Sequence, residues 1–579
     1  MEELSLIIGE ERQDFFVEET LVTIFKSTVE RHPSKTALYF NGKQISYKIL
    51  DEWSTNLAYI LQSKGLKKGS PCLVWWERGI ELHVAILAIL KCSGTYVPLD
   101  YDMPEERVVS VLQDIQSDFI ITSRPFHHSC TVINEITFEE GKHTILDTVT
   151  LDPDTYAYVL FTSGSTGKPK GIPITNRNIC HLVRSENSLL NVHEKDKVYQ
   201  GFSVSFDMWC EETWVSYLVG ATLWVADSVT SKSIDELSTI LLENEITVLH
   251  AVPSLLAVME AIDLPKLRII NAGGEACTPQ VLNKWAKEGR DFYNSYGPTE
   301  TTVSATFAKL KKGDPITIGK PLANYGLAVV DENMHPVPVG QSGELIVSGI
   351  GVSNGYLNLE ALTKEKFLPK NDSLHALPGA MIYRTGDATY MDSDQNIHFV
   401  GRIDSQVKLR GFRIELGEIE SLLNDQIGIL QAAVALKKDA NDQEQLTGYV
   451  VVSKDFVFDE AFIKEQLALK LPSYMVPLTI VKLDELPRLS SGKIDRKQLP
   501  TPNNYFANTS TENNISESDS IETKTIKVLK NIFIKDDINL ESDFFTDLGG
   551  HSLLAASFVS KMRDWGSGVA LKLFYHSRM

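Results

Sequence analysis

The sequence predicts an α/β fold, on three observations. Short apolar runs alternate with segments of helical periodicity through most of the first 400 residues. Turn residues separate them, as between consecutive strand–helix units. A Gly-rich loop directly follows one of the runs. The strand candidates are Cys72–Trp76, Phe119–Thr122, Tyr158–Thr162, Thr247–Ala251 and Leu267–Ala272, and Ile80–Lys91 has helical character. Such alternation implies largely parallel strands.

At 579 residues the chain exceeds the size at which single cores stop growing, about 250–300 residues, so several domains are expected. The character shifts around Gly401–Gly411, where a smaller α+β unit is expected to begin and to run to about Leu499. Thr501–Asp519 is rich in Asn, Thr, Ser and Glu and reads as a linker. From Ser520 helical periodicity returns. The expected division is 15–403, 404–499, a linker over 500–519, and 520–579.

The net charge of −20 disfavours nucleic acid and anionic lipid as partners. Six cysteines without a CxxC pair suit a reducing compartment, and cytoplasmic placement is expected. The longest apolar run, Val84–Leu90, is far short of the roughly 20 residues that span a bilayer.

The strongest motif is Thr162, Ser163, Gly164, Ser165, Thr166, Gly167, Lys168, Pro169, Lys170, Gly171. Glycines let backbone approach a phosphate, hydroxyls and amides donate to its oxygens, and lysines supply charge. Only two residues separate Gly164 from Gly167, which rules out a Walker loop. The alternative is a mobile Gly/Ser surface turn, against which the Pro-Lys-Gly ending is unusually specific. With this loop the chain resembles the ANL superfamily, and within it the adenylation domains of nonribosomal peptide synthetases. The resemblance continues in order through Tyr96–Asp100, Asn294–Thr302, Gly343–Leu345, Tyr383–Asp387, Gly401–Lys408, Arg413–Glu420 and Ser491–Arg496.

That resemblance implies an ANL fold: a large α/β part, a small mobile α+β part hinged at Asp404, and a helical carrier. It implies a carboxylate attacking the α-phosphate of ATP, where catalysis is mainly positioning and charge neutralisation. The loop Thr162–Lys170 would handle phosphates. Tyr296, in one motif with Thr299, would stack on adenine, and Glu300 would help hold Mg²⁺. Asp387 would accept the ribose hydroxyls, with Arg402 nearby. Lys493 would be the catalytic cation.

Asp543–Leu553 resembles the peptidyl carrier motif, with Ser552 as the attachment point of 4′-phosphopantetheine, installed by a phosphopantetheinyl transferase. Only Val569–Met579 follows Gly568, so the last carrier helix is expected to be short or truncated, with further synthetase domains as candidate partners. Carried over without gaps, the family's amino-acid pocket falls on Asp207, Met208, Glu211, His250, Ile270, Ala272, Ser295, Val303, Ser304 and Lys493. Asp207 would pair with an α-ammonium. Glu211 is a buried carboxylate that needs a partner. A cationic substrate side chain is the simplest one, which points to lysine first, then ornithine or a shorter diamino acid. The alternative is that Glu211 pairs with His250 around a neutral substrate. Two other classes are an acyl- or aryl-CoA ligase of the same fold, opposed by Asp207 and the fused carrier, and a non-catalytic carrier protein, opposed by Lys493, Glu300 and Asp387.

Overall fold

The computed structural model describes residues 3–138, 151–164, 169–438, 444–453, 456–488, 494–501 and 520–533, with 538, 558 and 562. Two sheets build most of the first 310 residues. A nine-stranded sheet runs Lys320–Pro321, Thr306–Leu310, Asp291–Tyr296, Ile269–Ala272, Val248–Ala251, Lys197–Gln200, Thr222–Val225, Thr36–Phe40, Lys43–Ser46. Its centre is parallel and its two ends antiparallel. A six-stranded sheet runs Thr131–Ile133, Phe119–Thr122, Pro71–Trp75, Thr95–Pro98, Tyr156–Thr162, Lys170–Thr175. It too is parallel except for its last pair.

The helix Ile80–Lys91 is apolar almost all round, and all its residues but Glu81 are buried. A helix with no polar face belongs inside a protein. Its one charged end is met locally: Lys91 Nζ donates to Asp51 Oδ1 at 2.6 Å, to Ser54 Oγ and Thr55 Oγ1 at 2.8 Å, and to the Asp51 carbonyl at 2.7 Å.

The expectation of largely parallel strands fails after residue 320. Tyr325–Val330, Gly343–Gly349, Met381–Met391 and their neighbours Leu6–Ile8, Phe367–Pro369 and Ile397–Arg402 form an antiparallel sheet. Its main strands are joined by loops and one short helix, Glu360–Lys366, and lack the long crossover helices that parallel pairing requires.

Beyond it, Gln406–Leu409 and Phe412–Glu415 form a hairpin closed by Arg410 and Gly411, both at positive φ (53° and 83°). Paired positive φ is the two-residue turn whose twist matches that of the strands. A Cβ on Gly411 would stand 2.7 Å from Val252 Cγ1, so glycine also permits the tip to touch the large part. Ile429–Lys438, Glu444–Val452 and Thr479–Lys482 make a three-stranded sheet with a separate core that includes helices Leu416–Asn424 and Glu460–Ala468. Of the region expected to be the carrier, helix Ile521–Phe533 is described; Ser552 lies outside the described residues.

Breaking a buried ion pair leaves a charge uncompensated. Lys91→Met should therefore destabilise the chain by about 3 kcal/mol, read as a lower melting temperature, with Asp51→Asn costing less because its side chain keeps 28% exposure.

Candidate active site

Three groups of side chains meet between the two parallel sheets, the antiparallel sheet and the hairpin of the small part. The first is the phosphate loop. Thr162 and Lys170 are Cα partners at the end of an antiparallel pair, so the loop is the connection of a hairpin. Ser163 Oγ donates to the Arg413 carbonyl at 2.8 Å and accepts from the Glu415 N–H at 2.9 Å. The Gly164 N–H donates to Glu418 Oε2 at 3.1 Å, and Glu418 Oε1 accepts from Arg107 at 2.7 Å. Thr162 Oγ1 is buried with no partner among the described residues. Ser165, Thr166, Gly167 and Lys168 lie outside the described residues.

The second group surrounds Glu300, which is fully buried. Arg413 Nη1 donates to its Oε2 at 2.6 Å, the Tyr356 hydroxyl to its Oε1 at 2.8 Å, and Lys170 Nζ stands 3.8 Å away. Burial alone would raise this carboxyl; Arg413, Lys170 and Tyr356 outweigh it and hold Glu300 down at about 2. Glu300 offers the hard oxygen that Mg²⁺ takes beside phosphate oxygens. Each of its oxygens already accepts one hydrogen bond, from Arg413 and from Tyr356, and each keeps a second lone pair. Close by, the Tyr296 hydroxyl donates to Asp387 Oδ2 at 2.5 Å and Arg402 Nη1 to Asp387 Oδ1 at 2.8 Å. Arg402 also holds Asp404 through two bonds, at 2.9 and 2.6 Å. Lys408 Nζ sits 5.7 Å from the centre of the Tyr296 ring. The residues expected at the nucleoside are thus together, with a cation of the small part over the ring.

The third group is the set of residues expected to line the amino-acid pocket. Asp207 and Glu211 lie one helical turn apart, where Met208–Cys210 passes into a π-helical turn, Glu211–Val215. Asp207 Oδ2 accepts from the Thr299 hydroxyl at 2.5 Å, so Thr299, expected near ATP, touches the amino-acid side. Desolvation lifts Asp207 to about 6 despite that bond. Glu211 is fully buried and already has donors: Ser304 Oγ at 2.5 Å and Asn271 Nδ2 at 3.2 Å, with His250 Nδ1 3.4 Å away. Glu212, a residue further on, accepts from Gln200 and the N–H groups of Gly201 and Phe202, and is structural. Ser295 and Met208 both stand beside Gly273, where a Cβ would meet Ser295 Oγ at 2.5 Å and Met208 Cε at 3.1 Å. Val303 is buried and, like Thr302, at positive φ, which turns the chain so that Ser304 reaches Glu211.

Ile270 and Ala272 are buried in the core cluster that also holds Leu249, Ala251 and Leu282. His250 is paired in register with Asn271, and Asn271 Nδ2 reaches both Glu211 and His250. Side chains alternate along a strand, so Asn271 shares its face with His250. Asn271 was missed, as was Arg413, whose role depends on a contact 113 residues away in sequence. Lys493 lies outside the described residues.

Comparisons with known proteins bear on the family. Residues 25–357 match the AMP-binding enzyme family, 418–493 the AMP-binding enzyme C-terminal domain, and 529–578 the phosphopantetheine attachment site. The chain is 41% identical to delta-poly-L-ornithine synthetase of Acinetobacter baumannii, over 99% of this chain and 44% of that protein. It is 36% identical to bacitracin synthase 2 of Bacillus licheniformis, over 96% of this chain and 21% of that one. It spans less than half the length of either relative. Among solved structures, an artificially fused adenylation–PCP di-domain, NpsA-ThdA from Klebsiella oxytoca, superposes with a TM-score of 0.71 at 26% identity, over 81% of this chain and 94% of that one. Among the described residues no helix is long and apolar enough to cross a membrane. With the AMP-binding match over more than half of its length and a phosphopantetheine attachment match following it in sequence, the chain belongs to the AMP-binding enzyme family, as an adenylating ligase of the nonribosomal peptide synthetase type.

Proposed function

We propose that the chain activates an L-diamino acid of the ornithine–lysine class as its aminoacyl adenylate and loads it onto its own carrier region. The observation that supports this best is the buried acidic floor of the pocket, Glu211 in a shell of Ser304, Asn271 and His250. The name of the Acinetobacter relative adds ornithine to the lysine expected from sequence. The domain division at Asp404 and the residue roles below are part of the same proposal.

In the first half-reaction a substrate carboxylate oxygen attacks the α-phosphorus, and the bond to the pyrophosphate oxygen breaks. Asp207 orients the amino acid through its α-ammonium. Thr162, Ser163, Gly164 and Lys170 hold the phosphates, and Asp387 and Tyr296 hold the nucleoside. Lys493 neutralises charge between carboxylate and phosphate. A Mg²⁺ ion at Glu300 supplies further neutralisation when bound. The small part has to shift between steps, because Arg413 covers Glu300 and Ser163 is tied to the hairpin. Ser552 would carry the phosphopantetheine arm, whose thiol would take the aminoacyl group as a thioester while the acyl–phosphate bond breaks and AMP leaves.

A pyrophosphate-exchange panel over the amino acids, with ornithine, lysine and diaminobutyrate, is the direct test; exchange confined to neutral amino acids would overturn the substrate class, and a coenzyme A thioester product would favour the acyl-CoA ligase reading. Lys493→Ala should abolish most exchange while ATP and amino acid still bind, since a cation acting in the transition state contributes more to rate than to affinity. Ser552→Ala should keep exchange and lose covalent loading. Asp207 must be ionised to pair with an α-ammonium. Its carboxylate is present above about pH 6 and lost below it, so kcat/KM for the amino acid should fall by about tenfold per unit at lower pH, while KM for ATP does not follow.

A further inference from the structure

The helix Asn176–Leu190 begins directly after the phosphate-loop strand, capped by Thr175 and Asn178. On it sits Glu186, which is fully buried. Neither of its oxygens has a hydrogen-bond partner among the described residues. A carboxylate oxygen of Glu186, one of Glu211 and a ring nitrogen of His250 all lie within 4.8 Å of one another. Asn271, bonded to Glu211 and to His250 through its amide nitrogen, keeps its buried Oδ1 without a partner too. The pocket floor therefore holds unused acceptors on two residues beside Glu211, which has donors already.

An isolated buried carboxylate is costly, and two side by side are costlier still. Burial, with the Glu211 charge adding to it, pushes the Glu186 carboxyl well above the usual carboxylate range. The arrangement is relieved by one cation with several N–H donors. A primary ammonium has three, and no acceptor of its own. Glu186, Asn271 Oδ1 and Glu211 supply acceptors to match.

We propose that Glu186, outside the pocket positions transferred from the family, is the principal acceptor for the distal ammonium of the substrate, with Glu211 and Asn271 completing its shell. This rests on the diamino-acid reading and deepens it: the selective element is a pair of carboxylates from two different helical segments. Glu211 is held in place by Ser304 and its neighbours, and Glu186 waits for the donor that the substrate brings.

The wild-type exchange panel is read first. If no diamino acid is activated, the substrate reading falls and this proposal with it. If one is, Glu186→Gln should lower its kcat/KM by about ten- to a hundredfold, mostly through KM, while norleucine is unchanged or improved. Glu186→Asp keeps the charge but draws it back toward its helix, so it should shift the lysine-to-ornithine ratio toward lysine, the longer arm. Equal losses on the diamino acid and norleucine, or an unaltered preference in both variants, would overturn the proposal and leave the diamino-acid reading standing. A melting temperature for each variant separates these results from misfolding; should Glu186→Gln not fold, Glu186→Asp decides. Stoichiometric zinc or another transition metal in the purified wild-type protein, absent from Glu186→Gln, would also overturn it, because the cluster would then be a metal site.

Discussion

Glu300 is a fully buried carboxylate, and its charge has to be met from three directions. Lys170 comes from the strand after the phosphate loop, Tyr356 from the loop after the first long antiparallel strands, and Arg413 from the small part. No two of these lie near each other in the chain. The planar guanidinium of Arg413 is suited to such a contact, being always charged and weakly hydrated. The ion pair thus ties the small part to the large one. In the proposed mechanism, domain position and ligand occupancy would then be linked.

The same logic of buried charge shapes the amino-acid side, with different outcomes for neighbouring residues. Glu212 is satisfied by backbone N–H groups and Gln200, and burial still lifts it to about 7. It holds the loop of Gly201 and Phe202, and so fixes the entrance to the turn that bears Asp207. Glu211 is satisfied by side chains of two strands and a loop. Glu186 is satisfied by nothing among the described residues. Three acidic residues within one region thus differ in what remains for a ligand to supply, and only their partners distinguish them.

The hairpin Gln406–Glu415 connects the two sides. Gly411 donates its N–H to Glu275 at 2.6 Å, and Glu275 in turn accepts from the Ser254 N–H at 3.0 Å. Lys408 reaches the Tyr296 ring and Arg413 reaches Glu300. Residues at the tip, on one strand and on its partner thus touch three separate parts of the site. A rigid two-stranded ribbon can do this where a loop could not, because its register fixes which residues face inward.

The sequence by itself determined the α/β class and the order of the parts, and it proposed the chemistry-bearing positions. These rest on local properties: apolar periodicity, a glycine loop after a strand, and motifs whose residues are adjacent in the chain. Thr162, Ser163 and Gly164 could be named because a phosphate loop is a run of consecutive residues, and Asp207 and Glu211 because their segment resembles the family's amino-acid pocket. The antiparallel sheet after residue 320 was not legible, since a strand's apolar pattern does not state the direction of its partner. Nor was the contact of Asn271 with Glu211 and His250, which depends on how three separate segments pack. Only the tertiary structure decided that Arg413 neutralises Glu300 and that Glu186 stands beside Glu211, 25 residues away in number. Buried charges are matched through space, and the low dielectric that makes each match necessary exists only once the distant elements have packed.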